Sequence, residues 1–497
     1  MSAAPVRLGL RENLAQFSLL VAVNAFVGAM VGLERSTLPL IGEQDFGLGS
    51  SAAVLSFIVA FGLAKAFTNL GAGAFAQRLG RRRLLVLGWA LALPVPLLIA
   101  VAPSWGWVVA ANALLGVNQG LAWSMTVVMK IDLVGPKRRG LALGLNESAG
   151  YGGVALAAVV SGWLASEYAA RDVLVAGGAV VALVALLLSV LFVRDTGEHV
   201  ALEQASAEHP EDGPPPLRRA FAEATFRDPA LRSCSQAGFT NNLNDALAWG
   251  IVPLFLAAHG ASASEVGLVA GLYPAVWGAG QIWTGHWSDR VGRKPLIAAG
   301  MLVQAGALAL LAASGGAVST AALAAVALGI GTALVYPTLI AAISDAVTPV
   351  ARPPAVGIYR FWRDMGYVAG GLIAGVAADA IDYSGAIALV AALTAASGLW
   401  VMLDMPRGGQ PREPRSQAMP SRSVRHGPSW RIRSKLSEAA QSSMISPSSM
   451  RLITIPQIRI ARPRLWPSAT QREATRSPSL TWSSTRMRRS PSLKTSW

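Results

Sequence analysis

At 497 residues, 53% of them hydrophobic and only 14% charged, the chain has a mean hydropathy of +0.45, which is too apolar for a soluble domain and fits a polytopic membrane protein. The formal charge of +15 is confined to residues 407–497, which hold 18 Lys and Arg against 3 Asp and Glu; the rest carries 24 of each sign, so no nucleic-acid partner is expected. One cysteine, Cys234, and five scattered histidines exclude a disulfide framework, a thiolate metal site and a redox pair within the chain, and no metal or cofactor is expected.

A helix needs about 20 apolar residues to cross the hydrocarbon core. Such runs fall at 14–34, 51–73, 84–103, 107–129, 141–165 and 172–193, and then at 233–257, 265–284, 296–314, 318–342, 356–380 and 384–404. Residues 1–13 are polar, and the run that follows lacks a small-residue cleavage site, so it reads as the first span rather than a removed signal. Arg7, Arg11, Arg78, Arg81–Arg83, Lys130, Lys137–Arg139, Arg290, Arg293, Lys294 and Arg352 fall on one side, against Arg35 and Arg171 on the other, which places both termini in the cytoplasm. Residues 194–232 form the longest internal polar stretch, and 217–226 is expected as an amphipathic surface helix.

The fold expected is therefore all-α: a six-helix half over 1–193, a cytoplasmic linker over 194–232, a second half over 233–406, and a basic disordered tail over 407–497. The tail is rich in Ser, Arg, Pro and Trp and unlike the rest. It reads either as a shifted reading frame or as a basic segment for anionic lipid. Pro39, Pro94, Pro253, Pro274 and Pro337 fall in or beside spans, where bends are expected.

The stretch Gly285-His286-Trp287-Ser288-Asp289-Arg290-Val291-Gly292-Arg293-Lys294 joins the eighth and ninth spans. A second copy, Gly73-Ala74-Phe75-Ala76-Gln77-Arg78-Leu79-Gly80-Arg81-Arg82, lies 212 residues upstream. The fourth span ends with Asp132, Pro136 and Arg139; the tenth ends with Asp345, Pro349 and Arg352, 213 residues later. The repeated Gly-x-x-x-Asp-Arg-x-Gly-Arg-Lys/Arg loop, with an acid-x6-Arg pattern after spans 4 and 10, resembles the major facilitator superfamily of transporters, and its sugar porters in the charge pattern. That resemblance implies two six-helix bundles related by a pseudo-two-fold axis, alternating access, and a cytoplasmic gate of Gln77, Arg81, Asp132, Arg139, Asp289, Arg290, Arg293, Asp345 and Arg352 that locks the halves together. It places Asp289 at the positive end of the fifth helix. Arg81, Arg293, Arg139 and Arg352 are then expected to reach Asp132 and Asp345. Two departures weaken a drug–proton antiporter assignment: Gly116 stands where another superfamily motif carries arginine before Asn118-Gln119-Gly120, and Gly150-Tyr151-Gly152-Gly153 replaces Gly-Pro.

Ionisable residues inside membrane helices are costly and are usually functional. Those inside the expected spans are Lys65, Glu147, Asp245, Arg360, Arg363 and Asp364. Arg360, Arg363, Asp364 and Tyr367 share one helix face. Lys65 and Asp364 lie at matching depths and are expected to pair across the halves. Glu147 is a possible counter-charge for Arg360 and Arg363, a role open also to an anionic solute, and with Asp245 it is the expected proton carrier. Asn24, Asn118, Gln119, Asn241 and Asn244 are expected to contact solute or to join helices, and Trp123, Tyr273, Trp277 and Tyr336 to form apolar walls. Glu34 and Arg35 are expected to anchor the interface or form an outer gate.

No nucleotide loop, nucleophile–base pair or metal set is present, so an enzyme is not expected. The function expected is proton-coupled export of a small organic solute by a monomer in the lipid bilayer of a bacterial inner membrane. Proton-linked uptake of a sugar or organic anion is the alternative. A non-transporting receptor on the same fold is the reading from another class.

Overall fold

The computed structural model describes residues 6–135, 139–205, 215–347 and 351–406. The tail expected at 407–497, and Pro136, Lys137, Arg138 and Pro349, lie outside the described residues, as do the side chains of Gln77, Arg139 and Asp289.

Every regular element among the described residues is helical. The first half runs α1 (Leu14–Gln44), α2 (Ser51–Leu79), α3 (Arg81–Ala92), α4 (Pro94–Ala100), α5 (Trp105–Val134), α6 (Arg139–Glu167) and α7 (Ala170–Leu191). The linker contains α8 (Gly197–Ala205) and α9 (Leu217–Ala222), and α9 continues into a π turn over Glu223–Arg227, where the amphipathic segment was expected. The second half runs α10 (Pro229–Ala258), α11 (Ala263–Val291), α12 (Arg293–Ala312), α13 (Val318–Ala346), α14 (Arg352–Ala380) and α15 (Tyr383–Asp404). Pro94 splits the third span into α3 and α4, because proline has no N–H for the helical ladder. Pro39, Pro253, Pro274 and Pro337 sit inside continuous helices.

Among the described residues, eight segments are long and apolar enough to cross a membrane: α1, α2, α3 with α4, α6, α7, α12, α13 and α15. The other four of the twelve expected spans are helices of similar length, α5, α10, α11 and α14, whose polar and aromatic residues lower their hydropathy. These four supply most of the central site. Helix α1 runs ten residues beyond its expected end at 34. Residues 30–42 are all buried, so Glu34 and Arg35 are shielded by protein and do not end the span.

Gly80 and Gly292 occupy equivalent places in the two motif copies. Each adopts positive φ, 85° and 94°, and each ends one helix and begins the next with no loop between. The requirement for φ > 0 explains a glycine at both sites.

Backbone contact through glycine builds each half. In the first, α1 packs on α6; in the second, α10 packs on α14. A Cβ on Gly153 would lie 2.1 Å from the Ala25 carbonyl oxygen, and one on Gly366 would lie 2.1 Å from that of Phe239. These sites are again 213 residues apart, so the repeat extends from the loops into the packing. Gly153→Val or Gly366→Val is therefore expected to cost about 1–3 kcal/mol. Gly152→Val, with nothing within 4 Å of its Cβ position, serves as the control and should change little; thermal unfolding in detergent checks all three. Two long seams join the halves, α6 against α11 and α2 against α14, and α1 also packs on α10.

Candidate functional site

The site is built where the two seams meet the middle of the helices. On α14 the expected stripe is present: Arg363, Asp364 and Tyr367 are buried, and Arg360 is half-buried. Lys65 Nζ lies 3.4 Å from Asp364 Oδ1, joining α2 of the first half to α14 of the second. Asp364 Oδ2 accepts a 2.6 Å bond from Asn69 Nδ2, and Asn69 Oδ1 accepts one of 2.8 Å from Ser124 Oγ. Asn69 stands one helical turn after Lys65 on the same face of α2, a spacing that carried the signal but was not used.

Glu147 and Asp245 are held differently. Glu147 Oε1 accepts from Trp123 Nε1 and from Asn146 Nδ2, each at 3.1 Å. Asp245 accepts from the Tyr273 hydroxyl and, at 3.4 Å, from that of Tyr367. No ion pair found among the described residues includes either carboxylate, so Glu147 is not paired with Arg360 or Arg363 here.

Arg363 is 6% exposed and is likewise in none of the ion pairs found among the described residues. Its Nη2 donates to the Tyr151 hydroxyl at 3.1 Å, its guanidinium lies 4.1 Å from the Tyr336 ring centre and 5.7 Å from that of Trp277, and its Nε has no acceptor. Arg35 is buried too, contrary to its expected place in an outer loop. It is enclosed by Phe57 and Phe61 of α2 and Trp249 of α10, with ring centres at 5.4, 4.5 and 5.4 Å. Lys130, expected on the cytoplasmic surface, is fully buried and donates to the Leu20 carbonyl at 3.1 Å, tying α5 to α1.

The amides mostly join helices within a half. Asn24 Nδ2 donates to the Asn146 carbonyl at 2.7 Å, Asn118 to that of Gly88 at 2.9 Å and Gln119 to that of Val27 at 3.0 Å. Asn244 donates to Gln304 at 2.9 Å, and Gln304 donates to Asn241 at 3.2 Å. Interhelical bonding thus already occupies the residues for which solute contact was the other expectation. The aromatic residues do converge: Tyr151 and Trp277 have ring centres 3.5 Å apart, and Tyr273 and Tyr336 each stand 5.7 Å from Trp277.

On the Arg-rich face, Arg81 Nε lies 3.0 Å from Asp132, which also accepts a 2.6 Å bond from Thr196. Arg293 Nε lies 2.9 Å from Asp345, and Arg352 donates to the Ser344 carbonyl at 3.1 Å. Both ion pairs stay within their own half, because α3 packs on α5 and α12 on α13. The Arg293–Asp345 pair is partly exposed and is worth about 1 kcal/mol at most. Arg290 is exposed. His199 of α8 sits beside this network, and partial burial lowers its pKa against the opposing pull of Asp132 and Glu198.

The opposite face is closed. Asp379, at the end of α14, accepts from Ser50 Oγ at 2.6 Å and from the backbone N–H groups of Ser51 and Ala52 at 2.5 and 3.1 Å. A carboxylate of the second half thereby caps α2 of the first, at its positive end. The Tyr383 hydroxyl adds a bond to Glu43 at 3.1 Å. Opening this face must break both. Asp379→Asn is expected to shift the balance by about 1 kcal/mol, or roughly fivefold, toward the open state. The measurement is the rate at which an impermeant maleimide labels Leu55→Cys in a Cys234→Ser background. Leu55, in the first turns of α2, is buried against Gly250 of α10, and the rate should rise about fivefold.

A family model of the Major Facilitator Superfamily matches residues 14–241 and 234–486. The chain belongs to the major facilitator superfamily. It is 28% identical over 233 residues to a protein of Cupriavidus pinatubonensis (strain JMP 134 / LMG 1197) named as a probable 4-methylmuconolactone transporter. That match covers 46% of this chain and 52% of the relative, so it spans about half the relative's length.

Proposed function

We propose that this transporter is a proton-coupled carrier of a small organic solute, working as a monomer in the inner membrane of a bacterium with its Arg-rich face in the cytoplasm. Glu147 and Asp245 carry the proton, and alternating access moves the solute outward in exchange for it. The observation that carries the reading is the way these two buried carboxylates are held: by Trp, Asn and Tyr donors, not by a cation at ion-pair distance. Such a group gains or loses a proton without a salt bridge having to break. Asp364, paired with Lys65, is the contrast and serves as structure. The relative named for a lactone supports a small organic solute.

A second reading, proton-linked uptake of an organic anion, is favoured by Arg363, whose buried charge is in none of the ion pairs found among the described residues. The test is proteoliposomes loaded with a pH-sensitive dye and challenged with sugars, organic acids and lipophilic cations. Solute-induced proton movement is expected in the wild type and lost in Glu147→Gln or Asp245→Asn. Its direction relative to the solute separates exchange from co-transport. Proton movement that persists in both variants rules these carriers out, and none in the wild type with any solute of the panel contradicts the coupling.

A further inference from the structure

We propose that Arg363 anchors the carboxylate of a planar, conjugated acid, aromatic or α,β-unsaturated, whose flat body lies between Tyr151 of the first half and Trp277 of the second. The inference rests on the transport reading for why the site opens, but binding at Arg363 is independent of proton coupling and of direction.

The first observation is an account of charge. Asp364 is taken by Lys65 and Asn69, Asp245 by two tyrosines, and Glu147 by Trp123 and Asn146. Arg363 keeps a full positive charge at 6% exposure with a single hydrogen bond, to Tyr151. Asp245 acts on Arg363 only from beyond ion-pair distance; a buried cation with no carboxylate in contact is expensive, and an anionic ligand that bonds it directly offsets that cost. The second observation is a set of donors without acceptors. Arg363 Nε, Trp277 Nε1 and Gln281 Nε2 are all buried and all unpartnered, and Trp277 and Gln281 stand one turn apart on α11. Native proteins rarely leave buried donors unmet, so the unmet Arg363 Nε, with the Trp277 ring centre 5.7 Å from its guanidinium and Gln281 one turn further along α11, points to an acceptor that arrives from outside. A carboxylate supplies two oxygens for them.

The third observation fixes the shape of the ligand. The Tyr151 and Trp277 ring centres are 3.5 Å apart with their planes tilted by 31°, so the two flat faces touch across the seam, and the Tyr336 ring lies against Arg363. The two stacked residues come from α6 and α11, the helices of one seam between the halves. When that seam loosens, a flat solute can replace the ring–ring contact and keep a face against each half. A saturated, puckered acid cannot make both contacts.

The experiment is equilibrium dialysis of the purified full chain in detergent against labelled benzoate, with cinnamate, cyclohexanecarboxylate and benzamide as competitors. Cinnamate should compete at least tenfold better than cyclohexanecarboxylate, and benzamide, which lacks the charge, should not compete. Arg363→Lys should weaken benzoate binding at least tenfold. Trp277→Leu should remove the preference for planar acids while keeping the need for a carboxylate, with Trp277→Phe as the variant that preserves a stacking face. No saturable benzoate binding, equal competition by the saturated acid or the amide, or unchanged binding in Arg363→Lys overturns the proposal. Proton movement driven by another solute in the absence of benzoate binding overturns this inference alone. Benzoate binding without proton movement overturns the coupling alone.

Discussion

Arg363→Gln is expected to lower transport, as kcat/KM, by about 10²-fold or more, because truncating one side of a buried charge pair with a ligand costs about 2–5 kcal/mol. Its effect on stability should be the reverse of that on activity. In the unliganded protein Arg363 is a desolvated cation with one hydrogen bond and an unpartnered Nε. Glutamine keeps a donor near the Tyr151 hydroxyl and removes the charge, so the melting temperature should hold or rise. A residue that matters only for packing would lose stability and activity together. The comparison of flux in proteoliposomes with thermal unfolding in detergent therefore separates a ligand anchor from a structural arginine.

Breaking the Lys65–Asp364 pair is expected to have the largest effect on stability. Asp364→Ala leaves Lys65 buried and uncompensated, and removes the acceptor of Asn69. Removing one partner of a buried pair costs about 3–5 kcal/mol, enough to lower the melting temperature by many degrees. The double variant Lys65→Met with Asp364→Leu should recover most of the loss, because two apolar side chains of similar volume need no hydration. The thermal unfolding of both single variants and the double variant closes a mutant cycle, in which strong coupling is expected. Additive losses would show that the 3.4 Å contact contributes nothing. The pair spans the α2–α14 seam, so its loss should also loosen the two halves.

That pair was legible in the sequence because it needed only depth: Lys65 and Asp364 each lie eight residues from the expected inner ends of their spans, at Gly73 and Val356, on helices that the superfamily resemblance places side by side. Eight of the twelve expected spans are long and apolar enough to cross a membrane among the described residues and were legible from apolar runs, and the repeat from matching loops. Arg35 was not, since a rule that ends a span at the first charges cannot see that protein buries residues 30–42 of α1 on every side. Lys130 was placed on the surface for the same reason; positive-inside counting treats every lysine near a helix end as wet. For the amides the sequence left two expectations open, solute contact and interhelical bonding. Asn118, Asn241 and Asn244 are polar residues on the helices expected to line the cavity, but whether an amide meets solute or a neighbouring backbone depends on a rotation of the helix by a fraction of a turn. The gate was read at the level of residue types, and the side chains described pair inside each half: Arg81 with Asp132 and Arg293 with Asp345. The closing contact that does cross between halves, Asp379 onto the start of α2, lies on the opposite face and matches no loop motif.

The most direct measurement of the proposed carrier, with one central anion-binding site at Arg363, is counterflow. Proteoliposomes are preloaded with unlabelled cinnamate and diluted into labelled benzoate at equal pH, with no gradient to drive net movement. The expected result is a transient accumulation of label in the wild type, its persistence in Asp245→Asn, and its absence in Arg363→Gln. Entry no faster than into empty liposomes, or accumulation that survives Arg363→Gln, would contradict the account.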